Sequence, residues 1–115
     1  MTTEFLVIPK ATYNILQRLT GASRPDTALS LALKDLVRLR MEEAQMNIAA
    51  FEKKYGMTFA EFEKACQDGQ IKNAFSYEVE KDDWEWEAAL TDRAALEEIS
   101  EWLIRKLHFK ISSNR

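Results

Sequence analysis

The most constraining feature of this sequence is a run of 30 residues, Asp26 to Tyr55, that contains neither glycine nor proline. Gly21 and Pro25 precede the run, and Gly56 ends it. Apolar side chains recur within it at the three- and four-residue spacing of one helical face, at Leu29, Ala32, Leu33, Leu36 and Val37. A helix of this length exceeds what a small domain usually needs. The sequence therefore predicts one long helix that crosses from an N-terminal unit into a second unit.

Composition restricts the class of protein. The 115 residues are 46% hydrophobic and 30% charged, which is typical of a folded, soluble chain. The single cysteine excludes an internal disulfide framework and favours a reducing compartment. No apolar run approaches the roughly 20 residues that cross a bilayer, and the N-terminus lacks the features of a signal peptide. We therefore expect a cytoplasmic protein with no membrane partner.

Charge is divided unevenly along the chain. The formal net charge is −3, but residues 1–57 carry an excess of two positive charges and residues 58–115 an excess of five negative charges. Ten acidic and two basic residues lie between Tyr77 and Glu101. The overall balance argues against a generally basic nucleic-acid-binding protein. The asymmetry predicts different roles for the two halves, the alternative being a solvated acidic helix face.

The N-terminal residues predict a short strand and a short helix. Residues 4–8 form a β-favouring run that ends at Pro9. A five-residue strand needs a partner, and the simplest source is the same strand of a second copy. A helix over 10–20 follows, and Gly21 suits the left-handed residue at its end. The segment Ser23-Arg24-Pro25-Asp26 then predicts a capping box at the start of the long helix.

Three segments within Phe5–Arg40 carry a resemblance to a known family. They are Ile8-Pro9-Lys10, Gln17-Arg18-Leu19-Thr20-Gly21-Ala22-Ser23 and Thr27-Ala28-Leu29-Ser30-Leu31-Ala32-Leu33-Lys34-Asp35-Leu36-Val37-Arg38. This stretch, about a third of the chain, resembles the VapB-like antitoxins of toxin–antitoxin modules. Their ribbon-helix-helix domain has a strand, a helix that ends in Leu-Thr-Gly, and a capped helix with an Ala–Leu-rich face. The 51–90 region is similar to small prokaryotic proteins associated with such modules.

The resemblance implies a homodimer that binds DNA. Two strands would pair into an antiparallel ribbon that enters the major groove, and Ser23 and Arg24 would contact a phosphate at the N-terminus of the long helix. The dimer interface predicted from the strand and the apolar stripe comprises Leu6, Ile8, Leu29, Leu33, Leu36 and Val37.

The outward face of the predicted strand departs from the family pattern. If Leu6 and Ile8 face the core, then Thr3, Phe5 and Val7 face the DNA. Phe5 and Val7 cannot donate hydrogen bonds and can at most touch thymine methyl groups. The alternative interpretation is therefore an architectural dimer seam without DNA contact.

The second unit predicts further helices. Thr58-Phe59-Ala60-Glu61 has the pattern of a capping box, and the helix that follows ends at Gly69. Residues 75–80 alternate apolar and polar side chains, which predicts a short strand or an extended segment. Asp82 or Asp83 would then cap a last helix. The sequence allows this helix to be continuous or to be divided into two at Thr91-Asp92.

An acidic and aromatic block over 75–90 is the candidate partner-binding region. Its predicted binding residues are Phe75, Tyr77, Trp84, Trp86, Glu85 and Glu87. Aromatic anchors and acidic groups suit a basic partner such as an RNA-cleaving toxin. The alternative is that the aromatic residues fill the protein's own core. Trp84 and Trp86 cannot share one helical face, so we expect one in the core and the other exposed.

No catalytic constellation is evident in the sequence. The carboxylates could be imagined as a Mg²⁺ site, but no general base or phosphate clamp accompanies them. His108 lies alone beside apolar residues, and Cys66 lies on an apolar helix face without a CxxC partner. We therefore expect neither an enzyme nor a metal or cofactor site.

Together these observations predict a mainly α protein. A ribbon-helix-helix-like dimerisation unit spans residues 1–45, and a helical, acidic partner-binding region spans residues 46–115. The favoured hypothesis is an antitoxin-like protein that binds and restrains a cognate toxin. The same hypothesis extends to repression of its own operon through binding of operator DNA. The second hypothesis is a dimeric structural or adaptor protein with no DNA role.

Overall fold

The computed structural model describes the backbone of residues 7–113 and the side chains of residues 7–105. This part of the chain forms four helices: α1 (Lys10–Thr20), α2 (Pro25–Tyr55), α3 (Phe59–Gln67) and α4 (Tyr77–Ser113). The molecule is elongated, with extents of 59 × 29 × 29 Å. The 37 residues of α4 account for the long dimension, since a helix rises about 1.5 Å per residue. None of these helices combines the length and apolarity needed to span a bilayer.

Helices α2 and α4 form an antiparallel hairpin because each carries a continuous apolar seam. Between residues 37 and 55, the side chains that are not exposed are Val37, Met41, Ala44, Ile48, Phe51 and Tyr55. The matching seam on α4 consists of Val79, Asp82, Trp86, Ala89, Arg93, Leu96, Ser100 and Leu103. Both alternate three- and four-residue steps, the spacing of a coiled-coil seam. The pairing is antiparallel, since Tyr55 bonds to Asp82 whereas Val37 lines a groove with Leu103.

Trp86 is the centre of the core, which lies at the tip of the hairpin, where α2 ends and α4 begins. Its side chain is 0% exposed. Four aromatic rings surround it at centroid distances of 5.2 to 5.9 Å, those of Phe51, Tyr55, Phe59 and Phe62. Two of these rings belong to α2 and two to α3, so Trp86 joins three helices. The short helix α3 is therefore held by aromatic packing against the hairpin.

The turn from α2 to α3 follows the sequence prediction. The long helix ends at Gly56, whose φ of 69° is left-handed and whose N–H donates to the Glu52 carbonyl. The predicted capping box at Thr58 is confirmed. The Glu61 N–H donates to Thr58 Oγ1 at 3.3 Å, and the Thr58 N–H donates to Glu61 Oε1 at 2.9 Å. These bonds satisfy two amide groups that the start of α3 would otherwise leave unpaired.

The capping box predicted at Ser23 is wrong. Helix α2 begins at Pro25, so its N-cap residue is Arg24 and no side chain caps it. Ser23 lies one residue too early, and its carbonyl instead accepts hydrogen bonds from Tyr13 Oη and, at 3.0 Å, from Gln17 Nε2. These bonds tie the turn back to α1, whose predicted C-terminal glycine, Gly21, does adopt the left-handed conformation.

The strand predicted over 75–80 is also wrong, because these residues begin α4. The Ser76 hydroxyl accepts from the Val79 N–H at 3.3 Å, which places a helix N-cap inside the predicted strand. Six residues are too few to separate a period of 2 from one of 3.6. The predicted caps at Asp82 and Asp83 are also wrong, because α4 begins at Tyr77 and both aspartates lie inside it. The helix runs without interruption through Thr91-Asp92.

The prediction of a mainly α protein is confirmed, but the structure does not support the ribbon. No strand occurs within residues 7–113. Residues 4–6 of the predicted strand lie outside the described residues, and Val7 and Ile8 are not in a strand. A strand whose partner belongs to another chain cannot form in a single chain. The predicted boundary between residues 45 and 46 falls inside α2.

The central position of Trp86 predicts a large difference between two neighbouring tryptophans. Trp86→Ala removes the ring that joins three helices, and we expect it to lower the free energy of unfolding by about 3–5 kcal/mol. Trp84→Ala is the matched control, because Trp84 is 64% exposed. It should change stability by about 0.5 kcal/mol or less. Urea unfolding followed by circular dichroism measures both, and equal losses would contradict this assignment of the core.

Candidate partner-binding surface

Three large side chains are exposed where α4 begins. Phe75 is 91% exposed, Tyr77 74% and Trp84 64%. Tyr77 and Trp84 are seven residues apart, so they lie on the same side of α4, about 10 Å apart along its axis. This side faces away from the seam. We refer to these three residues and the four glutamates Glu78, Glu80, Glu85 and Glu87 as the acidic–aromatic surface.

The glutamates flank the aromatic row on both sides. Glu80 and Glu87 are seven residues apart and follow one flank, and Glu78 and Glu85 follow the other with the same spacing. All four are exposed. Glu78 forms an ion pair with Lys54 at 3.1 Å, and Glu85 one with Lys81 at 3.7 Å. Within residues 7–105, no ion pair involves Glu80 or Glu87. The surface therefore presents apolar rings between rows of negative charge.

The prediction that one of the two neighbouring tryptophans is buried is confirmed, and the buried one is Trp86. Trp86 was among the predicted partner-binding residues, and that assignment is wrong because its ring is 0% exposed. Two residues along a helix correspond to a rotation of about 200°. Trp84 therefore faces solvent because Trp86 faces α2 and α3.

A polar clamp fixes the orientation of this part of α4. Asp82 is only 8% exposed, and its Oδ2 accepts from Lys54 Nζ at 2.6 Å and from Tyr55 Oη at 2.5 Å. Lys54 Nζ also donates to Glu78 Oε1 at 3.1 Å. One carboxylate of α4 thus receives two side-chain hydrogen bonds from the end of α2. Because Asp82 lies between Tyr77 and Trp84 in sequence, the clamp holds the helix turn that displays them.

The clamp shifts the pKa of each member. Burial by itself would raise the pKa of Asp82, but the bonds from Lys54 and Tyr55 outweigh it and lower that pKa below its usual value. The bonds to Asp82 and Glu78 raise the pKa of Lys54. Burial and the bond to Asp82 raise the pKa of Tyr55 to about 12. At neutral pH the clamp therefore holds an ionised acid, a charged amine and a neutral phenol.

Asp83 of α4 lies near Cys66 of α3. Burial and the nearby Glu87 raise the pKa of Asp83, and its Oδ1 is buried without a hydrogen-bond partner among the described residues. Burial and the charges of Asp83 and Glu63 raise the pKa of the Cys66 thiol. A thiol in these surroundings stays protonated and is a weak nucleophile, in keeping with the core role that the sequence predicts for Cys66.

Possible metal ligands do not converge in the described part of the chain. No group of three or more His, Cys, Asp or Glu side chains is close enough there to hold an ion. The side chain of His108 lies outside the described residues.

The predicted DNA-contacting residues are only partly described. Thr3 and Phe5 lie outside the described residues, and Val7 is 89% exposed. Ser23 and Arg24 are exposed at the start of α2. The Arg24 guanidinium forms an ion pair with Asp26 at 3.4 Å, so an acidic group stands beside the predicted phosphate contact.

The residues of the predicted dimer interface differ in their surroundings. Leu6 lies outside the described residues, and Ile8 is half-buried. Leu29, Leu33 and Leu36 are exposed by 37%, 47% and 50%. Val37 instead belongs to the α2 seam and lines a groove of about 400 Å³ with Leu103 of α4.

Sequence reasoning missed several residues of the site. Lys54 and Tyr55 gave no local signal, since their partner Asp82 is 28 and 27 residues away, respectively. Glu78 and Glu80 were recognised as acids of the 75–90 block, and each precedes a predicted binding glutamate by seven residues on the same helical flank.

Comparison with protein-family models, curated proteins and solved structures found no match to this chain.

Replacing Asp82 and replacing Asp83 by asparagine should have opposite effects on stability. We expect Asp82→Asn to lower the free energy of unfolding at neutral pH by about 1–3 kcal/mol. The folded pKa of Asp82 is lowered, so its stabilising contribution is present above the unfolded pKa and is lost as pH falls through the folded pKa. The difference from wild type should therefore shrink toward acid pH in urea unfolding series.

Asp83→Asn is the matched comparison, and we expect its effect on the free energy of unfolding to have the opposite sign. The folded pKa of Asp83 is raised, so ionisation at neutral pH destabilises the fold and protonation at lower pH relieves this. We expect Asp83→Asn to raise the free energy of unfolding at neutral pH, with the gain disappearing in acid. A variant that is less stable than wild type at neutral pH would count against this interpretation.

Proposed function

We propose that this protein is an antitoxin-like binding protein that restrains a cognate toxin, with the acidic–aromatic surface as the toxin-binding site. The observation that carries the proposal is the exposure of Phe75, Tyr77 and Trp84 between two rows of glutamates. Large exposed aromatic side chains are unusual on a surface without a partner and are enriched among residues that dominate binding energy.

The chemistry of this surface favours a basic partner. Residues 77–101 contain ten acidic and two basic residues. An RNA-cleaving toxin needs a positively charged surface to hold its substrate, so the glutamate rows would attract that surface and cover it. Tyr77 and Trp84 would supply the apolar anchors. The toxin would thus be inhibited by occupation of its RNA-binding surface.

The rigidity of the tip supports this role. Trp86 and the Asp82 clamp hold the first turns of α4 before any partner binds. An anchor on an already ordered helix loses less conformational entropy on binding than one on a flexible tail. The surface is therefore prepared for binding without further folding.

Dimerisation and DNA binding are the finer parts of the proposal. Pairing of the 4–8 strands of two copies would form the ribbon, with Leu29, Leu33 and Leu36 covered in the same interface. Exposure of these three leucines supports an interface on this face of α2. Repression of the operon would then require the ribbon and the start of α2 to meet DNA.

The alternative function is a dimeric structural or adaptor protein with no DNA role. Two observations favour it over operator binding. Val7, on the outward face of the predicted ribbon, is apolar and 89% exposed. Arg24 is paired with Asp26, which would repel a phosphate.

Toxin binding is tested by co-purification with the product of the adjacent gene. We expect Trp84→Ala to weaken the complex by about 2 kcal/mol, which is roughly a 30-fold rise in Kd. Charge reversal at Glu80 or Glu87 should mainly slow association, because these charges steer the partner. Isothermal titration and stopped-flow measurements separate the two effects.

Met46→Ala is the matched control, because Met46 is 72% exposed but lies on α2, outside the acidic–aromatic surface. It should leave the affinity unchanged. Full affinity in both Trp84→Ala and Tyr77→Ala would place the contact elsewhere and reject the proposed surface.

DNA binding is tested on the region upstream of the gene at several salt concentrations. If Arg24 contacts a phosphate, Arg24→Ala should reduce the salt dependence of binding by about one unit of slope. Arg18→Ala, on α1, is the comparison for a general loss of positive charge. Undetectable binding at low salt would favour the adaptor function.

A further inference from the structure

The acidic–aromatic surface is one end of a longer exposed face of α4. The seam residues Val79, Trp86, Arg93 and Ser100 recur every seven residues. Positions two residues before and two residues after each of them lie about half a turn away, on the side opposite α2. We call these positions the outer stripe, and all of them are exposed: Tyr77, Lys81, Trp84, Ala88, Thr91, Ala95, Glu98 and Trp102, with Arg105 at the next repeat.

Large aromatic rings bound the central part of the outer stripe. Trp84 is 64% exposed and Trp102 is 50% exposed. They are 18 residues apart in the sequence, which places them about 27 Å apart along the helix axis. The three stripe residues that follow Trp84 are small, namely Ala88, Thr91 and Ala95. Exposed rings at both ends of one helical face are typical of a surface that a partner covers.

The spacing of the outer stripe is that of a helix-pairing face. From Tyr77 to Arg105 its residues alternate steps of four and three, as the seam that packs on α2 does. Residues with this alternation stay in line with a neighbouring helix. Small side chains in the middle of the stripe would let the two axes approach to about 8–10 Å. The face therefore fits a helix of roughly 18 residues that lies along α4.

Acidic side chains follow both edges of the outer stripe. One edge consists of Glu80, Glu87, Ala94 and Glu101, and the other of Glu78, Glu85, Asp92 and Ile99. Stripe and edges together carry seven acidic residues against Lys81 and Arg105, a net charge of −5. Between Trp84 and Trp102 the face carries five acidic residues and no basic one.

The cations of α2 do not neutralise this face. Lys54 pairs with Glu78 at 3.1 Å, and Arg40, which lines a groove with Asp92, pairs with Glu43 at 3.3 Å. Counting Lys54, Arg40 and Glu43 with the face leaves a net charge of −4. Within residues 7–105, five acidic residues of the face take part in no ion pair: Glu80, Glu87, Asp92, Glu98 and Glu101.

From this arrangement we infer that a basic amphipathic helix of the partner lies along the outer stripe from Trp84 to Trp102. Aliphatic side chains of that helix would pack over Ala88, Thr91 and Ala95, and its lysine or arginine side chains would meet the carboxylates of both edges. The inference rests on the proposed function, in which the partner is the toxin. It extends the binding site beyond the acidic–aromatic surface and names the element of the partner that the site receives.

A second copy of the chain does not fit this face. Two outer stripes packed against each other would bring acidic edge against acidic edge in either direction, because both edges are acidic. Like charges that face each other across an interface oppose association. The chain that covers this face is therefore a different and basic one.

A designed peptide tests the chemistry of the face without the toxin. The probe is a helix-forming peptide of about 20 residues with leucine at the heptad core positions and lysine at the flanking positions. Its twin carries glutamate in place of lysine. We expect the full chain to bind the lysine peptide and not the twin in isothermal titration. No binding of the lysine peptide would overturn the inference.

Ala95→Gln separates packing along the stripe from general electrostatic attraction, because it lengthens a central side chain without changing the charge. We expect the dissociation constant of the lysine peptide to rise about tenfold or more. Ala49→Gln is the matched control, since Ala49 is exposed on α2 and belongs neither to the seam nor to this face. Circular dichroism checks that both variants keep their helices. Unchanged binding in Ala95→Gln, or equal weakening in Ala49→Gln, would contradict the inference.

The complex with the product of the adjacent gene distinguishes this inference from the proposed function. We expect Ala95→Gln and Trp102→Ala to weaken it as Trp84→Ala does. Weakening in Trp84→Ala alone would confine the contact to the acidic–aromatic surface, so that the proposed function stands and the inference falls. Binding of the lysine peptide that depends on Ala95, without any binding of the toxin, would reject the proposed function and retain the helix-binding face. A homodimer that Ala95→Gln dissociates in sedimentation equilibrium would identify a second copy as the occupant and overturn the inference.

Discussion

The burial of Trp86 is the interaction on which the rest of the structure depends. Its ring contacts aromatic rings of α2 and α3 while its backbone belongs to α4. Hairpin closure and α3 docking therefore share one side chain. The orientation of α4 about its own axis is set by the same contact. Because Trp86 points inward, Tyr77 and Trp84 must point outward.

Helix α4 uses one face for packing and another for its exposed aromatic rings. The seam from Val79 to Leu103 packs on α2, and the outer face carries the exposed aromatic rings. Asp82 lies at a seam position that would ordinarily be apolar, and its charge is tolerated because Lys54 and Tyr55 donate hydrogen bonds to it. The clamp also favours this register of the hairpin, because a shift along α2 would move Asp82 away from Lys54 and Tyr55.

The two ends of the hairpin present different surfaces because charge is distributed along α4. The tip is strongly acidic and aromatic, which suits a basic partner. The other end exposes the aliphatic side chains of Leu29, Leu33 and Leu36 on α2 and Ile99 on α4.

Local patterns were enough for those parts of the fold whose partners are near in sequence. The run free of glycine and proline predicted α2, Gly21 and Gly56 ended helices, and Thr58 with Glu61 formed the predicted capping box. The spacing of Trp84 and Trp86 required that one be exposed. The cap at Ser23 was predicted wrongly because local pattern does not fix the start of a helix to one residue. The strand over 75–80 was predicted wrongly because six alternating residues do not distinguish a strand from a helix.

The amino-acid sequence by itself thus determined the helical class, the glycine-terminated ends of α1 and α2, and the acidic, aromatic character of the chain after residue 75. Only the tertiary structure decided which tryptophan is buried, because by sequence either Trp84 or Trp86 could have faced α2. Tertiary structure likewise paired Lys54 and Tyr55 with Asp82 and placed Val37 and Leu103 in one groove. The physical reason is the same in each case. These pairs are 27 to 66 positions apart in the sequence, and only the antiparallel packing of α2 on α4 brings them together.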